Sequence, residues 1–218
     1  ADLSVGNDFT VTDGAGAGQT GTVLFSESNN VSISNDLVLT TANSQSTTLS
    51  YRSTGTARAI SVTGNVTIGA NNTFNVVNAN GSAHSLSING SVTNNGTLDL
   101  VPASGTNVST TFTGSTSTSI TGAGATTEFG TLTLDKGSSS ASELNVNATA
   151  FSLESLSLLN GSFRLTSSQS ITAASASLTV PATTRLAVSG GTINVATAAS
   201  DQNDLFLSGE IEVISGSI

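Results

Sequence analysis

The sequence predicts an all-β fold in which short strands stack as the coils of a solenoid. Apolar residues alternate with polar ones over short runs, and each run ends at a corner of Gly, Asn or Ser. In residues 186–195, LAVSGGTINV, two alternating runs meet at a Ser-Gly-Gly corner. Alternation points every second side chain inward, and glycine lets the backbone turn without a side chain in the way. Because one such unit cannot bury its own apolar face, we expect many units to stack.

An internal repeat of short period also predicts a solenoid. Copies of one alternating pattern begin at residues 4, 32, 61 and 87. Aligning the first two copies matches apolar residues with each other: Val5 with Ile33, Phe9 with Leu37, and Val11 with Leu39. The period is short for a βαβ unit of about 30 or more residues, and no stretch has a capped helical period. We therefore expect coils of about 26–30 residues with three short strands each.

Further strands are predicted between these copies, each bounded by clusters of turn-forming residues. In chain order they lie at residues 22–25, 73–77, 97–101, 131–134 and 143–146. Residues 148–159 fit two strands that meet at a corner better than they fit a helix. Residues 114–125 are expected to be the least regular part of the chain. Because no linker divides the sequence, we predict a single β-solenoid segment over residues 1–218, which we expect to be part of a longer chain or assembly.

The composition argues against several classes of protein. Of the 218 residues, 36% are hydrophobic and only 9% are charged, which is too few charges for a typical disordered chain. There is no Cys, so the chain has neither a disulfide framework nor a thiolate metal site. The net charge of −9 disfavours nucleic acid and anionic membrane surfaces as partners. No apolar run approaches the ~20 residues that span a bilayer, so we expect no membrane insertion.

Two phrases, NNGTL at residues 94–98 and GGTINV at residues 190–195, resemble the strand-and-turn phrases of bacterial surface β-helices. These proteins include autotransporter passengers, filamentous-haemagglutinin-like adhesins and the giant repeat adhesins exported by gliding Bacteroidota. Residues 120–137 are most similar to the last group. The resemblance implies a right-handed parallel β-helix, an extracellular or bacterial cell-surface location, and an adhesive or filament-forming role. It implies no catalytic residue.

The alternating pattern reaches both ends of the sequence without a polar capping element. Uncapped solenoids tend to associate end to end, so we expect neighbouring β-solenoid segments or further copies of the chain as partners. The predicted function is a non-catalytic structural or adhesive β-solenoid of a bacterial surface or extracellular fibre. Two alternatives stay open: a self-assembling filament subunit, and a carbohydrate-binding or carbohydrate-processing β-helix with surface glycans as ligands.

Candidate catalytic residues are few. His84 is the single histidine and lies in a predicted loop, residues 78–84. Because a general base also needs a positioned partner, we expect a solvated turn residue. Glu210 and Glu212 lie on one face of one predicted strand, roughly 7 Å apart, a separation that suits a hydrolytic carboxyl pair. Only Phe206 lies nearby to stack on a sugar ring, so we expect an ordinary solvated face. We predict no enzyme activity, no catalytic residue and no cofactor-binding residue.

Calcium is the one candidate cofactor. Asp8 and Asp36 occupy the same position of the repeat, and each follows an Asn. Stacked carboxylates repel each other unless they share a cation such as Ca²⁺. The alternative, which we favour, is an Asn/Asp ladder that shares hydrogen bonds at exposed turns. Residues 201–204, DQND, form a second oxygen-rich loop. We assign no metal ligand.

Overall fold

The computed structural model describes residues 2–13, 19–25, 30–42, 45–52, 56–77, 82–173, 177–195 and 205–218. These residues form strands and turns, and none of them lies in a helix. In chain order the strands are β1 (Leu3–Val5), β2 (Phe9–Thr12), β3 (Gly21–Phe25), β4 (Asn30–Ile33), β5 (Leu37–Thr40), β6 (Thr47–Arg52), β7 (Ala59–Val62), β8 (Val66–Ile68), β9 (Thr73–Val77), β10 (Ser85–Ile88), β11 (Val92–Asn94), β12 (Thr97–Asp99), β13 (Ser109–Phe112), β14 (Thr118–Thr121), β15 (Thr126–Asp135), β16 (Glu143–Val146), β17 (Phe151–Leu165), β18 (Ser170–Thr172), β19 (Leu178–Val180), β20 (Thr184–Asn194), β21 (Leu205–Leu207) and β22 (Glu210–Ser217).

The strands stack in three parallel ladders, which we call faces A, B and C. Face A consists of β1, β4, β7, β10 and β13, followed by parts of β15 and β17. Face B consists of β2, β5, β8, β11, β14 and β16, followed by parts of β17, β20 and β22. Face C begins with β3, β6, β9, β12, β15 and β17. Later, β18 pairs with the end of β20, and β19 pairs with β21; in the chain order of the faces, the first pair takes the place of face C and the second the place of face A. The predicted all-β parallel solenoid is confirmed.

The register of the first coils is the one that the repeat predicts. The apolar residues matched by alignment lie directly opposite each other: Val5 and Ile33 on face A, and Phe9 with Leu37 and Val11 with Leu39 on face B. Since side chains alternate between the two sides of a strand, this register places every matched apolar residue on the inner side.

On face A the spacing between successive coils becomes shorter towards the middle of the chain. On face A, Leu86 lies opposite Thr110, and Thr110 lies opposite Leu132. Both steps are shorter than the step from Val5 to Ile33 on the same face. On the other two faces the predicted length of 26–30 residues still holds in the middle of the chain, where Val92 lies opposite Ile120 and Thr97 lies opposite Thr126. Shorter steps return later on face B, where Leu144 lies opposite Phe163. From residue 126 onwards the turns between faces are short, because β15 and β17 pass from one face to the next as continuous strands without a separate loop.

Glycine forms corners inside the long strands. β20 turns from face B to face C through the predicted Ser-Gly-Gly corner, where Gly191 has a φ of 72°. β17 turns onto face B at Gly161, which has a φ of 99°. A side chain rarely adopts such a backbone conformation. The corner predicted within residues 148–159 is also present, since residues 151–153 pair on face C and residues 155–158 pair on face A.

Residues 114–125 are more regular than predicted. β14 lies in this segment and pairs with β11 on one side and with β16 on the other. The prediction was wrong because it relied on several apolar residues in alternation. Thr118 and Ile120 alone fill the inward positions of β14, and both are buried.

The inward side chains form one continuous apolar core along the solenoid. Aromatic rings from successive coils contact each other within it. Tyr51 stacks on Phe74 with ring centroids 5.8 Å apart. Phe129 lies between Phe112 and Phe151, at centroid distances of 6.2 and 5.9 Å. These contacts add to the stabilisation that burial of apolar surface supplies.

Candidate functional site

His84 is a core residue. It is 1% exposed, and its Nδ1 accepts a hydrogen bond of 3.0 Å from the backbone N–H of Arg58. Its ring stacks on Tyr51 with centroids 5.1 Å apart. Burial, and then the charge of Arg58, lower the pKa of His84. The predicted solvated turn residue is therefore wrong: His84 extends the inward-facing positions of β10, two residues before the buried Leu86.

The hydrogen bond to Nδ1 determines which nitrogen of the neutral His84 ring carries the proton. An imidazole whose Nδ1 accepts a hydrogen bond while the ring is neutral carries its proton on Nε2. Nε2 is buried, and no described residue forms a hydrogen bond with it. The His84 ring is therefore held by stacking on Tyr51 and by one hydrogen bond from the backbone N–H of Arg58. Residues 78–81 of the preceding predicted loop lie outside the described residues.

The carboxylates of Asp8 and Asp36 are part of a hydrogen-bonded ladder along one corner. Oδ1 of Asp8 accepts hydrogen bonds from Asn35 Nδ2 at 2.6 Å and from the Asp36 backbone N–H at 3.2 Å. Oδ1 of Asp36 accepts from the backbone N–H of Asn65 at 2.6 Å and from its Nδ2 at 3.3 Å. One coil further, Asn65 Oδ1 accepts from the backbone N–H of Ser91 at 2.9 Å. Each side chain thus satisfies a backbone donor of the next coil.

Calcium binding stays a prediction. Among the described residues, no group of three or more His, Asp or Glu side chains is placed to hold a metal ion. The second oxygen-rich loop, residues 201–204, lies outside the described residues.

An ion cluster, made of Glu143, Arg164, Arg185 and Glu212, crosses four coils on the outer side of face B. Arg164 Nη2 lies 3.1 Å from Glu143 Oε1 and 2.8 Å from Glu212 Oε2. Arg185 contacts the same two carboxylates, with Nη2 2.6 Å from Glu143 and Nη1 3.5 Å from Glu212. The strands β16, β17, β20 and β22 each contribute one member, so the cluster links successive layers.

The ion cluster changes the interpretation of the two C-terminal carboxylates. Glu210 is exposed, as predicted, but Glu212 is paired with both arginines, so a shared solvated face is wrong. Burial alone would raise the pKa of Glu143, but the hydrogen bond from Arg164 and the charges of both arginines hold that pKa below its ordinary value. The pKa of Arg164 is raised, chiefly by its hydrogen bond to Glu143.

A solvent-open groove of about 360 Å³ lies at the corner between faces B and C. We call it the corner groove. Three successive coils contribute its walls: Asn71 and Thr73 from one coil, Asn95 and Thr97 from the next, and Ala123 and Ala125 from the third. Its volume lies at the lower end of the range for small-ligand sites. Sequence reasoning did not identify this groove, although Asn- and Gly-rich segments recur at 69–72, 94–96 and 122–124.

Two buried asparagines hold the backbone at the corner groove: Asn72, which lines it, and Asn94, which directly precedes the lining residue Asn95. Oδ1 of Asn72 accepts hydrogen bonds from the backbone N–H of Thr47 at 2.9 Å and from its hydroxyl at 2.7 Å. Nδ2 of Asn94 donates to the Thr126 carbonyl at 2.6 Å, and its Oδ1 accepts from the backbone N–H of Gly96 at 3.0 Å. The hydrogen-bonded side-chain amides of these two buried residues thereby hold the backbone on both sides of the corner in place.

The last described coil exposes apolar side chains at positions that earlier coils bury. Leu205 lies opposite Leu178, Leu207 opposite Val180, and Val213 opposite Val188. The earlier member of each pair is at most 1% exposed, whereas the later members are 37%, 53% and 51% exposed. Their side chains are on the inner side of the strands, and within the described residues they pack against a coil on one side only.

No family model, curated protein or solved structure matches this chain. Within the part of the chain that the structure describes, no helix is long and apolar enough to cross a membrane.

Proposed function

We propose that this chain is a non-catalytic structural or adhesive β-solenoid of a bacterial cell-surface or extracellular fibre. The observation that carries the proposal is the last described coil, where Leu205, Leu207 and Val213 present an exposed apolar layer. Exposed apolar patches of this kind mark interaction surfaces, because burying them is favourable by about 25 cal/mol per Å². The resemblance of its strand-and-turn phrases to bacterial surface β-helices supports the extracellular placement.

We propose that a further solenoid coil covers this layer, either a neighbouring β-solenoid segment or the first coil of a second copy, and the second copy is the occupant that this chain alone can test. β1, β2 and β3 lie on faces A, B and C, in the same order as β21 and the two halves of β22. Leu3 is 40% exposed, and the inward-facing Val5, Phe9 and Val23 are only partly buried. Stacking these two layers continues both the parallel ladders and the apolar core, and it covers strand edges that would otherwise be unpaired.

Light scattering and electron microscopy of the 218-residue chain test this proposal. The wild-type chain should form rods whose mass grows with concentration. The double substitution Leu207→Asp with Val213→Asp should give a monomer, since it places charges in the stacked layer. Val77→Asp is the matched control, because Val77 is 41% exposed on the outer side of β9 and should leave the rods intact. A wild-type chain that stays monomeric at every concentration would contradict the proposal.

A carbohydrate-binding β-helix is the second candidate function. The corner groove is the observation that favours it, because amide and hydroxyl side chains line a concave surface. The two functions are compatible, since the corner groove lies on the side of the solenoid and the exposed apolar layer lies across its axis.

A further inference from the structure

We propose that the corner groove binds an uncharged saccharide. This inference rests on the adhesive role proposed above and gives it a ligand class. The corner groove combines a cavity of about 360 Å³ with hydrogen-bonding groups from three coils, and none of its lining residues is charged.

The free hydrogen-bonding groups of the corner groove match the chemistry of a sugar. The Asn71 amide and the hydroxyls of Thr73 and Thr97 form no hydrogen bond within the described part of the chain. Asn95 uses its Oδ1 to accept the Ala123 backbone N–H at 3.2 Å, which leaves Nδ2 as a donor. Hydroxyls and amides offer both donors and acceptors, as do the hydroxyls of a saccharide. The alanine methyls offer small apolar contacts for its C–H groups.

The surroundings of the corner groove disfavour other classes of ligand. With a net charge of −9 and no cation in the lining, the chain repels nucleic acids and anionic glycans. An extended peptide commonly binds by adding a strand to a free sheet edge. The corner groove offers no such edge, because β11 pairs with β8 and β14, and β12 pairs with β9 and β15.

Hydrogen bonds of buried amides hold the backbone around the corner groove, which favours a preformed site. Asn72 and Asn94 are buried and hydrogen-bonded, so binding orders few protein groups and loses little entropy there. Because the lining contains no aromatic ring, we expect weak binding at a single groove. Stacked copies would repeat the groove along a fibre and raise the overall avidity.

Ligand-observed NMR with the full chain tests the inference, followed by calorimetry on any binder. The probes are neutral glucose-, mannose- and galactose-based oligosaccharides, with a sulfated oligosaccharide and a neutral peptide alongside. The substitutions Thr73→Val and Thr97→Val together remove two hydroxyls and keep the side-chain shape. They should weaken neutral oligosaccharide binding by about tenfold, as expected for two lost hydrogen bonds. Asn71→Gly is a second variant, since glycine tolerates the φ of 65° at this position.

The matched control is Thr111→Val with Thr133→Val. These two threonines lie opposite each other on face A, one coil apart, so the control removes the same groups at the same spacing. Its binding should equal that of the wild type. The inference is overturned if no neutral oligosaccharide binds, if both double variants lose binding equally, or if only the sulfated oligosaccharide or the peptide binds. The Leu207→Asp, Val213→Asp variant separates the two proposals, because it should lose stacking and keep saccharide binding.

Discussion

Arg164 and Glu212 are 48 residues apart in the sequence, and their side chains form an ion pair of 2.8 Å. The pair skips one coil, because β20 lies between β17 and β22 on face B. Arg185 of β20 lies between the two carboxylates and contacts both Glu143 and Glu212. The ion cluster therefore links the apolar layer proposed to stack with the coils that precede it.

Substituting Glu212 tests how much the ion cluster contributes to stability. Glu212→Gln removes two charge–charge contacts and should lower the free energy of unfolding by about 1 kcal/mol, because the members are partly exposed and exposed pairs contribute little. The loss should shrink in about 1 M salt, where exposed charges are screened. Denaturant unfolding at low and high salt measures both effects.

Glu210→Gln is the matched control for this prediction. Glu210 lies on the same strand, two residues earlier, and is exposed. It should change stability by less than about 0.5 kcal/mol, as is usual for surface substitutions. Equal losses for both variants would show that the ion cluster has no special role.

The sequence predicts the layers well and the contacts between outer side chains poorly. Alternation is enough to place Val11 opposite Leu39, because an inward apolar residue has one environment in every coil. Which charged side chains meet in the ion cluster depends on the number of residues between successive coils. Leu144 lies opposite Phe163, and this step is shorter than any spacing between the copies of the sequence repeat. The repeat therefore gives no sign of which charged side chains meet.

His84 and the corner groove show two other limits of sequence reasoning. The polar composition of residues 78–83 indicates a loop, but Ser82 and His84 continue the alternation that leads into Leu86. The period-2 pattern was the signal that could have found the burial of His84. The corner groove arises where small and amide side chains of three different coils meet. Its position could be inferred from the recurring Asn and Gly, but its depth depends on packing.

The buried His84 should make the protein less stable in mild acid. Its pKa is lowered from the ordinary 6.5 by burial and by Arg58, so the unfolded chain binds a proton at a higher pH than the folded chain does. Where the unfolded state holds more protons, stability falls as the pH falls. The loss should begin near pH 6.5 and grow until the pH reaches the lower pKa of the folded state. Denaturant unfolding from neutral pH to about pH 5 measures it.

His84→Asn isolates this titration. The Asn carbonyl can accept the Arg58 backbone N–H, as Nδ1 of His84 does at 3.0 Å, and it does not titrate. The stability of this variant should change less over the same pH interval than that of the wild type. Parallel curves for the two proteins would show that His84 does not cause the acid sensitivity.

Gly191 should be the least replaceable residue of the Ser-Gly-Gly corner. Its φ is 72°, and a Cβ there would collide with the carbonyl oxygen of Gln169 and lie 2.7 Å from that of Ser167. These oxygens belong to the backbone of the adjacent coil and cannot move without breaking the ladder. Gly191→Ala should therefore lower the free energy of unfolding by about 2–4 kcal/mol through backbone strain and this collision.

Gly6→Ala is the control, because a Cβ at Gly6 has no atom within 4 Å and its φ is not in the left-handed region. It should change stability by less than about 1 kcal/mol. If thermal or denaturant unfolding gave equal losses of stability for the two variants, the close approach of the coils would not be the reason that Gly191 is difficult to replace.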